Sequence, residues 1–272
     1  QGRCWSVIEP LPNAYPRRLR LADPARRLAE AFFETGGGVF LRAPWEAHAH
    51  GLWPGLDPRE DLIILRTVSD ALGESVPVAR LTLDGQVRCL LFDRNGRGTL
   101  LTWNPDAPPG GREHLLPLGS DAQLLDIWGH RRPIETVARR QRLIVGPEPV
   151  FVLNVPTWLI EFQREFRMEP ASIEFGFDAH EREITFRNTH REALTGVLRL
   201  VGPPDWDIRP NRIAFALPPG QTFRQPVSIR FPVNAQAGVL PLVGEFALDA
   251  DRRYDLHVST WFELLLRDIE LD

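Results

Sequence analysis

The spacing of apolar residues changes character at Gly73, and that change constrains the fold more than any other feature of the chain. Up to Gly73, apolar residues recur at the i, i+3, i+4 spacing of amphipathic helices, interrupted by compact apolar runs. Beyond Gly73 the runs are short, many alternate apolar with polar, and turn residues punctuate them, which is the pattern of antiparallel strands. No all-helical fold and no uniformly alternating α/β fold satisfies both halves. The sequence therefore predicts a mainly β protein preceded by a short α/β segment.

In the first segment, Trp5-Ser6-Val7-Ile8 reads as a strand ended by Glu9-Pro10, because proline cannot continue a central strand. Asp23-Pro24 offers an N-cap and a first helical position for a helix over 24–35, with Leu28, Ala31 and Phe32 on its buried face and Gly36-Gly37-Gly38 as its stop. Val39-Phe40-Leu41 is a second strand. A loop rich in Pro, His, Gly and Trp runs over 44–57, and a helix over 58–72 carries Leu62, Leu65, Val68, Ala71 and Leu72 and closes at Gly73. Strand, helix, strand, helix is the order that builds parallel sheets.

Seven short strands follow at 78–83, 87–92, 99–103, 113–118, 122–127, 142–145 and 150–153, with Arg94-Asn95-Gly96 as a hairpin turn. That density predicts a sandwich. Ile160–Arg167 reads as a link to a final Ig-like sandwich with strands from Ser172 to Leu266, in which His180-Glu181-Arg182-Glu183 and Asp249-Ala250-Asp251 are turns. The predicted domains are 1–75, 76–160 and 161–272.

Charge excludes some functions. The net charge is −4 with the signs interspersed, so nothing favours nucleic acid or an anionic membrane. All 32 basic residues are Arg, which removes Lys from every catalytic role. No run approaches the ~20 apolar residues of a membrane span, and no signal-peptide pattern stands at the start. The first residue, Gln1, fits a processed product or a cut piece. Cys4 and Cys89 fit two core thiols or one bridge in an oxidising compartment, and both readings stay open. His48-Ala49-His50 beside Glu46 has the alternation of a metal chelate, but a solvent-exposed loop is the commoner explanation, and neither a metal nor a cofactor is expected. Phosphate loops and nucleophile elbows are absent from the sequence.

The series Trp5–Glu9, helix 24–35, strand 38–42 followed by Arg42-Ala43-Pro44-Trp45, and helix 58–72 ending Ala71-Leu72-Gly73 resembles the last two βα units of the (β/α)8 barrel of retaining glycosidases. The resemblance puts Glu9 at the position of the nucleophile that ends the seventh strand. It places the acid/base on an earlier strand that this sequence does not contain, leaving Glu46 as the other nearby carboxylate. For both glutamates the alternative is a solvated turn carboxylate.

Leu91–Gly96, Leu101–Asn104, Asp126-Ile127-Trp128-Gly129-His130 and Gly146–Phe151 are similar to the β-sandwich that closes many glycosidase barrels, with His130 where that family carries Asn and Phe151 where it often carries Tyr. In that setting Asp126 caps local amides, Gly129 takes positive φ, and Pro147 and Pro149 enforce an extended edge. Arg187-Asn188-Thr189, Pro203-Pro204-Asp205-Trp206 and Leu217-Pro218-Pro219-Gly220 resemble the Ig-like module attached to bacterial α-galactosidases.

These resemblances imply a non-catalytic, extracytoplasmic structural or interaction region. Its expected partners are a carbohydrate and either an N-terminal catalytic portion or a second chain, because a quarter barrel cannot close its sheet. Two alternatives remain: the rear part of a retaining glycosidase, and a carbohydrate-binding module in which Trp45 and Trp53 stack against sugar rings.

Overall fold

The computed structural model describes residues 5–50, 53–83, 87–138, 140–174, 176, 178–232 and 234–265, with side chains at 47–50, 53 and 54 outside the description. Cys4 also lies outside it. Strand accounts for 52% of the structure and helix for 17%, so the chain is mainly β. It forms two compact units, Gln1–Thr157 and Trp158–Asp272.

The first unit begins with β1 (Ser6–Ile8), α1 (Arg17–Thr35) and β2 (Val39–Leu41). Strands β1 and β2 pair in parallel, with Ser6 beside Val39 and Ile8 beside Leu41. Helix α1 starts at Arg17, seven residues before the predicted start, so Pro24 lies inside it. Proline there deprives the Arg20 carbonyl of its helical partner at a cost of about 3 kcal/mol. Burial of Leu21 and Ala22 in the added turns helps offset that cost. The helix ends where the sequence predicts, at Gly36, whose φ of 56° lets its N–H reach the Phe32 carbonyl at 2.8 Å.

Residues 44–57, predicted as a loop, instead contain a hairpin of β3 (Trp45–His50) and β4 (Trp53–Pro58). Helix α2 (Glu60–Leu72) follows, with Glu60 and Asp61 in its first turn, where the helix dipole favours acids.

Then come β5 (Val76–Leu83), β6 (Val87–Arg94), β7 (Arg97–Trp103), β8 (Arg112–Leu116), β9 (Gln123–Leu125), β10 (Arg131–Pro133), β11 (Glu135–Val137), β12 (Arg140–Val145) and β13 (Val150–Pro156). Six of them form a sheet in the order β10-β9-β13-β7-β6-β5, and β11-β12-β8 form a second. The run Cys89-Leu90-Leu91-Phe92 is fully buried, so this sheet is covered on both faces. Leu90, Phe92, Leu101, Trp103, Phe151 and Leu153 share one core with Ile8, Leu28, Leu41, Ile64 and Val68. The opposite face carries Cys89, Leu91, Leu100 and Val152, also buried. The predicted boundary at 75/76 thus falls inside the first unit, whose core takes residues from both sides of it. Pro147 and Pro149, expected at a strand edge, instead precede β13, a central strand.

In the second unit, α3 (Thr157–Glu165) occupies the segment predicted as a link. It buries Leu159 and Phe162, and Phe166 follows, at the spacing of one helix face. Strands β14 (Arg167–Glu169), β15 (Ser172–Glu174), β16 (His180–Arg187), β17 (Leu194–Val201), β18 (Asp207–Arg209), β19 (Arg212–Leu217), β20 (Thr222–Arg230), β21 (Gly238–Asp249) and β22 (Arg253–Leu265) follow. They form sheets β14-β16-β20-β18 and β15-β22-β21-β17-β19 around an aromatic core of Phe162, Phe186, Phe215 and Phe246. His180–Glu183, predicted as a turn, is the start of β16, paired with β20 from Ile229 to Pro226. Trp206 packs against Phe231 and Phe262 with centroids 4.4 and 5.1 Å away.

Candidate functional site

Parallel strands deliver whatever follows them to the same end of the sheet. The Arg42 N–H bonds the Ile8 carbonyl at 2.9 Å, continuing the β1–β2 pairing by one step and setting Glu9 and Arg42 side by side just beyond the strand ends. Their side chains form an ion pair, both largely exposed. Arg27 on α1 donates to the Glu9 carbonyl at 2.9 Å and to buried Asp23 at 3.1 Å, which fixes the backbone where β1 ends. Glu9, Pro12, Asn13, Arg42 and Arg59 line an open groove of about 290 Å³ at this end.

Ala43, between β2 and β3, and Arg59, just before α2, complete the groove's lining. Arg59 stands 3.3 Å from Asp61 and 3.9 Å from Glu46. Burial pushes the Asp61 carboxyl above the usual aspartate range, against the opposing pull of Arg59. Glu60 is held below the usual range, first by its hydrogen bond to Arg17.

The structure therefore gives each predicted carboxylate its own arginine, Glu9 with Arg42 and Glu46 with Arg59. Glu9 lines the groove, and Glu46 is outside its lining among the described residues. Glu9 is an exposed acid in an open groove, and as the nucleophile of a retaining glycosidase it would need a second carboxyl about 5–5.5 Å away. Sequence reading missed Arg42 and Arg59 as groove residues. Arg42 was accessible to it, because it follows its strand as Glu9 follows β1. Arg59 was not, since its role depends on the hairpin.

Trp45 is half exposed and pairs with Pro58, while Trp53 sits opposite His50. Five rungs of the hairpin separate them, about 17 Å at ~3.4 Å per residue. The side chains of Trp53, His48 and His50 fall outside the description. Groups of three or more His, Cys, Asp or Glu able to hold a metal are absent among the described residues.

The Asp126–His130 stretch is a closed turn. One Asp126 carboxylate oxygen accepts from the Trp128 and His130 amides at 2.9 and 3.0 Å, and the other faces His130 Nδ1 at 3.1 Å. Gly129 has φ of 89°. Half-buried Trp128 packs on the core with the Arg17 guanidinium 5.8 Å above its ring. The amide-capping role expected of Asp126 is what the structure shows.

No known family's sequence profile matches the chain, and no curated protein is similar to it. Among solved structures, it is similar to a family 39 glycoside hydrolase from the gut symbiont Bacteroides cellulosilyticus WH2, with a TM-score of 0.42 and 16% identity over 55% of this chain and 33% of that one. It is also similar to a gamma-CGTase from alkalophilic Bacillus clarkii, with a TM-score of 0.33 and 12% identity over 96% of this chain and 39% of that one. A FixG-related protein from Vibrio parahaemolyticus gives a TM-score of 0.25 at 15% identity, over 32% of this chain and 78% of that one. The chain spans about a third of the length of the glycoside hydrolase. No helix of the described residues is long and apolar enough to cross a membrane.

Proposed function

We propose that this chain is a non-catalytic structural region of a glycoside-hydrolase-like protein that works outside the cytoplasm, and that β1 and β2 continue a parallel sheet supplied by other polypeptide. The observation that carries this reading is the bare face of that two-stranded sheet. Its inner face buries Ile8 and Leu41 in the core shared with α1 and α2. Its outer face leaves Trp5, Val7 and Phe40 at 64%, 61% and 45% exposure, with the Trp5 and Phe40 rings stacked 5.0 Å apart. Strands β1 and β2 pair only with each other among the described residues, so each has an unpaired edge. Helices on one face, apolar side chains on the other and open edges are the features of two strands taken from a closed barrel. The sheets behind them would serve as a buttress, acting through packing.

The test is hydrogen exchange of the β1 and β2 amides in this chain alone and in the natural gene product. Strong protection confined to the natural product supports the proposal. Equal exchange in both overturns it.

The position of Glu9 favours a second reading, in which the assembled protein is a retaining glycosidase with Glu9 as nucleophile. Glu9→Gln in the natural product should then lower hydrolysis of an activated aryl glycoside by at least about 10³-fold, a loss of about 4 kcal/mol in transition-state stabilisation. A variant within tenfold of the parent leaves only the structural reading.

A further inference from the structure

Helix α2 ends at Leu72, and past that end the six-stranded sheet presents a polar surface in place of the apolar one that α2 covers. A cavity of about 440 Å³ lies there, lined among others by Asp70, Arg94, Arg97, Thr99, Arg131 and Asn154. Arg94 and Arg97 face each other across the last rung of the β6–β7 hairpin. They lie on the same face as Phe92, Thr99 and Leu101, by the two-residue alternation of the strands. Arg131 is paired with Leu125, another residue of that face. Three guanidinium-bearing positions thus line one hollow, Arg94 and Arg97 from neighbouring strands and Arg131 from β10, across β13 and β9 from them.

The bland account of such a cluster is local neutralisation, and it covers only part of this one. Arg94 donates to the Gly73 carbonyl at 3.2 Å, so it serves the C-terminal end of α2. Asp70, the one acid lining the cavity among the described residues, lies 3.6 Å from Arg66. Asp93, on the same hairpin, accepts from the Gly96 amide at 3.1 Å and from the Thr157 hydroxyl. The side chains of Arg97 and Arg131 have neither an ion pair nor a hydrogen bond among the described residues. Like charges directly across an antiparallel pair oppose each other, so the Arg94–Arg97 rung gains from a counter-anion.

We infer that this cavity is a binding site for a sulfate or phosphate monoester, with the oxyanion held by Arg97 and Arg131 and flanked by Arg94. Guanidinium forks match tetrahedral oxyanions with paired N–H donors. Arginine, unlike lysine, keeps its charge and planar geometry throughout the working pH range. The hollow, at about 440 Å³, has room for an ester as well as for the bare ion. Thr99 and Asn154 add hydroxyl and amide groups suited to the hydroxyls of a small polyol or sugar carrying the ester. Asn154 stands in the left-handed region, φ 61°, where the β13–β7 register shifts between Val152 and Val155. This inference is independent of the proposed function, because it uses neither the bare sheet nor Glu9.

The test is isothermal titration of the chain with glucose 6-sulfate, glucose 6-phosphate, inorganic sulfate, inorganic phosphate and unmodified glucose, at low and moderate salt. Saturable binding of one or both esters, at least tenfold tighter than the matching inorganic ion and weakened by salt, is the expected result. The stronger ester identifies the source of the oxyanion. The paired variant Arg97→Gln with Arg131→Gln should weaken ester binding at least 30-fold with an unchanged far-ultraviolet spectrum and melting temperature. Arg88→Gln, a solvent-facing arginine near the other end of β6 and outside the cavity lining, should leave it unchanged. Absence of saturable ester binding, equal affinity for the bare ions, or undiminished binding by the folded double variant would each overturn the inference.

Discussion

Replacing Asp126 by alanine tests whether the Asp126–His130 turn is held by its carboxylate. The substitution removes the acceptor of two backbone amides, those of Trp128 and His130, and the partner of the His130 ring. The two amides are not equivalent. His130 is exposed, so its N–H can turn to water and its loss costs about 1 kcal/mol, the net value of an ordinary hydrogen bond. Trp128 is half-buried against the core, so its amide bears more of the desolvation penalty, about 1.5–2 kcal/mol. The sum is about 2.5–3 kcal/mol. For a unit of about this size each kcal/mol lowers the melting temperature by ~2–4 °C, so calorimetry should show a fall of about 5–12 °C. Asp126→Asn keeps an oxygen in the accepting position and should lose about half as much. An alanine variant within about 0.5 kcal/mol of the parent, or an asparagine variant as damaged as the alanine one, would refute this account of the turn.

Other consequences can be measured directly. Gly196→Ala would bring a Cβ within 2.3 Å of the Ala247 carbonyl oxygen on β21, and because that contact is backbone the second unit should lose about 3 kcal/mol or fail to fold, read by denaturant unfolding. Phe186→Ala empties the centre of an aromatic cluster and should cost the same unit about 3–5 kcal/mol in that assay. The Cys89 thiol, which burial pushes up, should stay unreactive toward a disulfide reagent in native protein at neutral pH and react fully in denaturant. Asp61 binds its proton more readily folded than unfolded, so its charged form opposes folding. That penalty is absent below the usual aspartate value and grows as pH rises through the raised one. The stability difference between Asp61→Asn and the parent should therefore change as pH rises above about 4, the usual aspartate value, and parallel pH profiles for the two proteins would contradict the assignment.

How far the sequence revealed this fold depended on how local each signal was. The βαβα order, the stop at Gly36 and the hairpin at Asn95-Gly96 were all legible because neighbouring residues specify them. Misreadings arose where tertiary packing overrode local chemistry. Pro24 looks like a helix start, yet α1 extends seven residues before it because Leu21 and Ala22 have a core to enter. The segment Trp45–Pro58 has the composition of a loop and pairs as a hairpin all the same. Helix α3 is too short to declare itself by periodicity and exists because Leu159 and Phe162 dock into the sandwich core. Of the site, Glu9 was visible from its place after an apolar strand. Its neighbour Arg59 was not, and neither was the gathering of Arg94, Arg97 and Arg131, which come from different strands.

Strand β13 lies between β9 and β7 at the centre of the six-stranded sheet, although it is the last of those strands in the chain. During synthesis, β7 is complete at Trp103 but meets its neighbour only when Val150 emerges. At ~5–20 residues per second, 47 residues of delay leave that edge, and the site of Phe151 and Leu153, open for about 2–10 s. The first unit therefore cannot mature piecemeal from its N-terminus, and a ribosome stalled anywhere before Val150 would expose a growing sheet with its middle missing. A chaperone that shields hydrophobic strands would find its target in β6 and β7 during that interval.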